Sequence, residues 1–276
     1  MVKKPDWLKV PYFDKNLIDH TSDIIDKLGL NTVCIEANCP NRGECFSKKT
    51  ATFMILGTNC TRNCSFCNVS HGIPQPVDEK EPAGIAEAVK KLGIQYIVIT
   101  SVTRDDLADG GAAHFAKTVR TIRKASPETK IETLIPDLPE PEILINEAPD
   151  VIGHNIETVK SLYSKVRPEA DYYRSLEIIA KIRQYAPGIH TKSGIMLGLG
   201  ETREELLWAF DDLIDAGCEF LTIGQYLQPS KRHYPLQVYI TPEEFAEYGE
   251  IAKQKGFRNV ASAPLVRSSY NAHLRS

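Results

Sequence analysis

Short apolar runs rich in β-branched and aromatic residues recur at 52–56, 96–101, 130–135, 151–156, 193–199 and 220–226, each followed by a turn and an amphipathic stretch. Two of those stretches carry readable ends. Thr202 with Glu205 has the capping-box pattern ahead of Leu206, Phe210, Leu213 and Ile214, which share one helix face, and Gly217 closes the helix. Thr241, Pro242 and Glu244 repeat the device, with Phe245, Tyr248 and Ala252 inward and Gly256 at the end. Strand–helix units in this succession predict a parallel α/β array, and right-handed crossovers favour a barrel or partial barrel over an open two-faced sheet. Periodicity alone does not separate those two. Before residue 51 the pattern predicts only a short helix over 16–28, ended by Gly29. Residues 1–50 therefore read as an N-terminal extension, 51–258 as the main domain and 259–276 as a C-terminal extension.

Composition narrows the function classes. The chain has 276 residues, 42% of them hydrophobic, enough core for one large domain or two small ones. A net charge of -3 gives no basic footprint, so nucleic-acid binding is not expected. The first twenty residues have lysines but no apolar stretch, and they carry Asp6, Asp14 and Asp19, unlike a signal or transit peptide. No apolar run approaches the roughly 18 residues of a membrane span. A cytoplasmic location is expected from these features and from the cysteine usage that follows.

Six of the seven cysteines fall in two triplets: Cys34, Cys39 and Cys45 spaced C-x4-C-x5-C, then Cys60, Cys64 and Cys67 spaced C-x3-C-x2-C. A disulfide framework suits small secreted domains, not a chain of this length. Structural zinc prefers two C-x2-4-C pairs or a cysteine pair with a histidine pair, and neither triplet has that form. Iron–sulfur clusters are held by compact cysteine runs of the second kind. Three thiolates on a four-iron cluster leave one iron open to a substrate or cofactor, which points to catalysis. His71, His114, His154 and His233 are scattered without metal-site spacing, and Gly198-Leu199-Gly200 lacks the further glycine of a dinucleotide fingerprint, Arg203 standing in its place. Cys218, at a helix-to-strand junction, reads as a buried small hydrophobe.

The run Cys60-Thr61-Arg62-Asn63-Cys64-Ser65-Phe66-Cys67 resembles the signature of the radical S-adenosylmethionine superfamily. The first triplet, taken with Arg267-Ser268-Ser269-Tyr270, narrows the resemblance to the lipoyl synthase family. It extends over nearly the whole chain through 100–115, 154–159, 166–172, 191–202 and 224–230. The resemblance implies a partial (β/α)6 barrel. Barrel active sites gather at the C-terminal ends of the strands, and the motifs fall there: the Cys60–Cys67 loop after the first run, Arg104 to Gly111 after the second, Asn155 and Glu157 after the fourth, Gly198 to Glu201 after the fifth and Gln225-Tyr226 after the sixth.

The resemblance also implies roles. Two [4Fe–4S] clusters are expected, one on Cys60, Cys64 and Cys67 with S-adenosylmethionine on its open iron, the other on Cys34, Cys39 and Cys45 with Ser268 as fourth ligand. An oxygen donor is harder and more readily displaced than thiolate, which suits a cluster meant to come apart. Phe66 and Met196 are expected near adenine. Gly110 and Gly111 would admit the methionyl end, although a plain turn explains them as well. Asn155 and Glu157 would meet the ribose, or merely cap a helix. Lys192, Ser193, Arg174 and Gln225 complete the cofactor candidates, with a solvated surface role an equal reading for the lysine and the arginine.

The implied reaction is sulfur insertion at C6 and C8 of an octanoyl chain amide-linked to a carrier lysine. Cleavage of S-adenosylmethionine gives a 5′-deoxyadenosyl radical that removes hydrogen, and the second cluster gives up its sulfides. Implied partners are an octanoylated lipoyl carrier domain or glycine-cleavage H protein, a reductant such as flavodoxin or ferredoxin, and a cluster-assembly carrier. Two other readings stay open: a different sulfur-inserting radical enzyme, and a non-catalytic metal-binding scaffold.

Overall fold

A computed structural model of the chain describes residues 4–270 and residue 272. In chain order the elements are α1 (Lys15–Lys27), β1 (Asn31–Thr32), α2 (Val33–Glu36), α3 (Arg42–Ser47), β2 (Thr52–Ile55), α4 (Glu81–Leu92), β3 (Tyr96–Ser101), α5 (Ala112–Ala125), β4 (Lys130–Leu134), α6 (Glu142–Ile145), β5 (Val151–Gly153), α7 (Tyr163–Val166), α8 (Tyr172–Tyr185), β6 (His190–Leu197), α9 (Arg203–Asp215), β7 (Phe220–Gln225), α10 (Pro242–Lys255) and β8 (Asn259–Ser262). All six expected runs form strands. Strands β2 to β4 pair in chain order and in parallel, as do β6 to β8, with helices between them, an α/β fold of the expected class. The short strands β1 and β8 are additions that periodicity did not mark.

The chain forms two compact units. One comprises residues 11–62 and 68–152. Here β1 pairs antiparallel with β2, and β2, β3 and β4 run parallel with Phe53 opposite Ile99 and Ile97 opposite Ile131. Ile85, Val89, Phe115, Val119 and Ile122 of α4 and α5 are buried, each stabilising the fold by about 1.5–3 kcal/mol relative to exposure. Helix α1 starts on Asp14, whose side chain accepts from Asn16 N–H at 2.8 Å, and Thr21 of α1 donates to Phe46 O at 2.7 Å, fastening α3.

The other unit comprises the described residues among 1–10, 63–67 and 153–276. Strands β6, β7 and β8 are parallel, with Gly194 opposite Thr222 and Ile223 opposite Ser262. Ile195 and Leu197 of β6 and Leu221 and Ile223 of β7 share an apolar core with Leu206, Phe210 and Leu213 of α9 and Phe245 of α10. Both capping boxes form: Glu205 N–H donates to Thr202 Oγ1 at 3.2 Å while Thr202 N–H donates back to Glu205 Oε2 at 2.9 Å, and Thr241 with Glu244 shows the same pair of distances. Because side chains alternate across a strand, Ser193, Ile195 and Leu197 lie on one face of β6 and Lys192, Gly194 and Met196 on the other.

Candidate functional site

The first triplet sits on two short helices. Cys34 is in α2 and Cys45 in α3, and between them Cys39 N–H donates to Cys34 O at 3.1 Å and Arg42 N–H to Cys39 O at 3.2 Å. Asn38, in the left-handed region at φ 49, turns the chain between the helices. All seven cysteines are free thiols. Burial, then the neighbouring Cys39, pushes the Cys34 thiol up to about 11; burial, then Cys34 and Cys39, pushes Cys45 up to about 12. Neighbouring thiols thus add to burial in weighing against charge on Cys34 and on Cys45. Among the described residues no three His, Cys, Asp or Glu are grouped to hold a single metal ion. Three free thiols within twelve residues form a soft donor set of the kind iron–sulfur clusters take.

The second triplet opens at Cys60, after Leu56 and Gly57. Cys60 N–H donates to Ser70 O at 2.8 Å and its carbonyl accepts from Gly72 N–H at 3.0 Å. Its sulfur accepts from the backbone N–H groups of Arg62 at 3.4 Å and Thr103 at 3.3 Å, contacts that fix where the sulfur points. Arg62 was missed as a functional residue in the sequence. Its guanidinium makes a two-point contact with Asp105, at 2.9 and 2.8 Å, and an ion pair with buried Asp137. Burial works against that cation, but Asp105 and then Asp137 hold it charged. Thr61 Oγ1 adds a bond to Asp105 at 2.8 Å. The signal was present in the run 104–106, where two acids follow an arginine, but pairing across 43 residues leaves no periodic trace.

Gly110 and Gly111 precede α5 at φ 64 and 96. A Cβ on Gly111 would collide with Leu56 Cδ1, and one on Gly110 would stand 2.9 Å from Pro139 Cδ. Both glycines are thus required by packing. Leu56, itself at φ 70, has its N–H on Glu81 Oε2 at 2.9 Å and its carbonyl on Arg104 at 3.2 Å; Glu81 also bonds His114 at 2.8 Å. These side-chain bonds to the Leu56 backbone hold the strained corner from which the cysteine loop departs.

In the second unit Cys64 and Cys67 are turned together by Cys67 N–H to Cys64 O at 3.0 Å. Between them Ser65 N–H donates to Val166 O at 3.0 Å and Ser65 O accepts from Tyr234 N–H at 2.7 Å, while Phe66 packs on the apolar core. His233 Nε2 bonds Cys67 O at 3.1 Å.

Several cofactor candidates come together here. Asn155 Nδ2 donates to Glu157 Oε1 at 2.9 Å, and Ser268 Oγ donates to Asn155 Oδ1 at 2.9 Å. Burial raises the Glu157 carboxyl above its ordinary range, opposed by Arg167, Asn155 and Arg267. Arg167 Nη1 donates to Asn155 O and Tyr163 Oη, both at 3.0 Å; it lies in the stretch 166–172, where residue type alone marks no role for it. Ser193 is buried and its Oγ accepts from Ile156 N–H at 3.2 Å. Lys192 is 2% exposed, so its surface reading is excluded. Met196 N–H donates to Glu157 O at 2.9 Å.

Two candidates stand apart. Arg174 is exposed in the first turn of α8, where its backbone N–H meets the capping Asp171 at 2.9 Å. Gln225 spends its amide on backbone: Nε2 donates to Leu197, Tyr226 and Val238 carbonyls at 3.0–3.1 Å and Oε1 accepts from Ile240 N–H at 2.8 Å. Glu201 gathers the Gly198 and Leu199 N–H groups at 2.6 and 2.9 Å, with burial raising its carboxyl. Cys218 is buried as expected, its thiol on Phe220 O at 3.3 Å and raised by burial.

Comparison with known proteins adds three findings. A family model described as Radical SAM superfamily matches residues 54–213. The chain is 55% identical over 274 residues to the lipoyl synthase of Alkaliphilus metalliredigens, covering 98% of this chain and 94% of that protein, and 53% identical over 275 residues to that of Caldanaerobacter subterraneus subsp. tengcongensis, covering 98% and 96%. Among solved structures, the FeFe-hydrogenase maturase HydG from Carboxydothermus hydrogenoformans superposes with a TM-score of 0.59 at 14% identity, covering 94% of this chain and 77% of that one, a likeness of fold.

Proposed function

The chain belongs to the lipoyl synthase family of the radical S-adenosylmethionine superfamily, and on that premise we propose how its own residues divide the work. The family's activity is radical sulfur insertion, with a [4Fe–4S] cluster and S-adenosylmethionine as cofactors and a lipoyl-carrier protein as substrate. Cys60, Cys64 and Cys67 would hold that cluster; Cys34, Cys39 and Cys45, with Ser268, would hold a second. Bound there, the first cluster with S-adenosylmethionine supplies one-electron chemistry that opens an unactivated C–H bond, and the second supplies sulfide.

The protein's part is to bind, orient and exclude. Backbone N–H groups of Arg62 and Thr103 orient the Cys60 sulfur, and Arg62 holds the loop through Asp105 and Asp137. Asn155 and Glu157 offer a carboxamide and a carboxyl to a sugar diol, with Arg167 fixing the backbone behind them. Phe66 and Met196, packed on the apolar core, offer flat and polarisable surface to an adenine. Lys192 and Ser193 remain cofactor candidates; Gln225 acts by positioning the strand end, and Gly110 and Gly111 by letting the turn close against Leu56 and Pro139. Arg174 would reach a ligand only from an exposed helix turn.

Residues 1–50 are proposed as the segment that carries the second cluster, 51–258 as the catalytic barrel and 259–276 as the arm that supplies Ser268. The preferred carrier, an octanoylated lipoyl domain or an H protein, the reductant, flavodoxin or ferredoxin, and a cluster-assembly carrier are proposals on the same footing. So is a cytoplasmic location; among the described residues no helix is long and apolar enough to cross a membrane.

The observation that carries this reading is the pair of cysteine triplets, none of them oxidised to a disulfide, in a chain matched along 98% of its length by relatives of one activity. Anaerobic metal analysis tests it. About eight irons and eight acid-labile sulfides per chain are expected, falling to about four of each when Cys34, Cys39 and Cys45 become Ala. Zinc without labile sulfide would instead support a metal-binding scaffold.

A further inference from the structure

The turn that carries Cys64 and Cys67 is held by two separate segments. From α7 and the residues after it, Val166 O accepts the Ser65 N–H at 3.0 Å, Lys165 O accepts the Ser65 hydroxyl at 2.7 Å, and Glu169 Oε2 accepts the Asn63 N–H at 2.7 Å. From the stretch after β7, Tyr234 N–H donates to Ser65 O at 2.7 Å and His233 Nε2 bonds Cys67 O at 3.1 Å. The last of these bonds falls on a cysteine itself.

The stretch that brings His233 there is fixed in its own right. His233 N–H closes a turn on Ser230 O at 3.1 Å, Gln228 Nε2 donates to the carbonyls of Ser230 at 2.9 Å and His233 at 3.2 Å, and Gln228 Oε1 accepts from Leu236 N–H at 3.3 Å. Buried Tyr226 donates its hydroxyl to Tyr234 O at 2.7 Å, and Tyr234 and Leu236 pack on the apolar core. Bonds and packing together determine the backbone on which the imidazole stands.

The ring also has a defined polarity. A carbonyl only accepts, so Nε2 carries a hydrogen and gives it to Cys67 O. In the neutral ring Nδ1 is then an acceptor, and Ser230 Oγ, 2.8 Å away, supplies its hydroxyl hydrogen while its oxygen takes the Arg232 N–H at 3.2 Å. One partner on each nitrogen sets both the tautomer and the orientation.

We propose that His233 is a positioning residue for Cys67: oriented by Ser230, its Nε2–H holds the Cys67 carbonyl and so fixes the direction in which the chain presents that sulfur to the first cluster. This deepens the reading of Cys60, Cys64 and Cys67 as ligands of that cluster and rests on it. Outer partners that orient ligands change metal affinity by about 10–100-fold when removed.

The test uses the full chain with Cys34, Cys39 and Cys45 replaced by Ala, reconstituted anaerobically with iron and sulfide so that only the second triplet can be loaded. Electron paramagnetic resonance of the reduced cluster and the rate of iron loss to a chelator are compared for this background and for His233→Ala, His233→Asn, His233→Gln and the Ser230→Ala/His233→Ala pair. His233→Ala is expected to alter the spectrum and to speed iron loss about tenfold. Glutamine carries an amide N–H at the level of Nε2 and asparagine one at the level of Nδ1. His233→Gln should therefore restore the spectrum and the iron retention, and His233→Asn should behave as His233→Ala. A side chain that only filled space would make no such distinction. The double variant should add nothing to His233→Ala, as expected of a serine acting through the ring. In the cluster-free parent chain, exchange of the Ser65 and Cys67 amide hydrogens should quicken about fivefold in His233→Ala, the equivalent of one lost hydrogen bond. That measurement decides the matter if the background chain does not fold. Spectrum, iron loss and exchange unchanged in His233→Ala, or changes that His233→Gln does not reverse, overturn the proposal while leaving the three cysteines as ligands. A folded background that takes up no iron removes the ligand reading, and the proposal with it.

Discussion

Arg62 lies inside the cysteine loop, and its removal tests whether that loop is held by charge. The guanidinium bonds Asp105 at 2.9 and 2.8 Å and pairs with Asp137, whose side chain is 1% exposed against 47% for Asp105. The exposed partner contributes less than about 1 kcal/mol. The buried one decides the outcome, since stripping one member from a buried pair costs about 3–5 kcal/mol. Asp137 has further interactions, which puts Arg62→Ala near the lower end, about 3 kcal/mol. For a chain of this size that is about 6–12 °C in Tm. The assay is thermal and urea unfolding of the cluster-free protein, with iron retention of the loaded protein measured in parallel. Adding Asp137→Asn should recover at least half of the loss, because a neutral amide tolerates burial without a cation. Arg62→Ala within about 0.5 kcal/mol of the parent would refute the argument.

Other expectations follow from the same structure. Gly111→Ala, at φ 96 and against Leu56 Cδ1, should destabilise by about 1–3 kcal/mol by urea unfolding. Thr202→Ala, which removes the α9 capping box, should cost about 1 kcal/mol and leave iron content unchanged. Cys218→Ser, which puts a hydroxyl in a fully buried apolar site, should lower Tm without altering labile sulfide. The raised Cys34 and Cys45 thiols favour the folded cluster-free protein below their unfolded value of about 9, and that stabilisation is lost as pH rises toward 11 and 12. Urea midpoints of the cluster-free protein should therefore fall above pH 9, and less so in Cys34→Ala/Cys45→Ala.

What the sequence made legible was local. The capping boxes of α9 and α10 lie within four residues, and both formed as expected. The six strands announced themselves because each is a buried run of apolar residues flanked by turns. Strands β1 and β8 did not: at two and four residues they carry too little pattern, and β8 is only half-buried. The site divides the same way. The cysteine loops were readable from spacing, whereas Arg62 with Asp137, Arg167 with Asn155 and Ser268 with Asn155 join residues 75, 12 and 113 positions apart. Lys192 shows the opposite failure, since residue type suggests solvent and the strand's inward alternation buries it. Gln225 fell at the expected strand end, but the backbone around it claims its polar atoms before any ligand could.

The central claim is that Cys34, Cys39 and Cys45 hold the sulfur that leaves in the product. Its direct test is a single turnover under anaerobic conditions, with protein reconstituted on heavy-isotope sulfide, dithionite, S-adenosylmethionine and an octanoyl-lysyl peptide, read by mass spectrometry. Two heavy sulfurs in the peptide, absent when the three cysteines become Ala while 5′-deoxyadenosine still forms, is the predicted result. Deoxyadenosine with no sulfur in the peptide, or sulfur arriving without those cysteines, would contradict it.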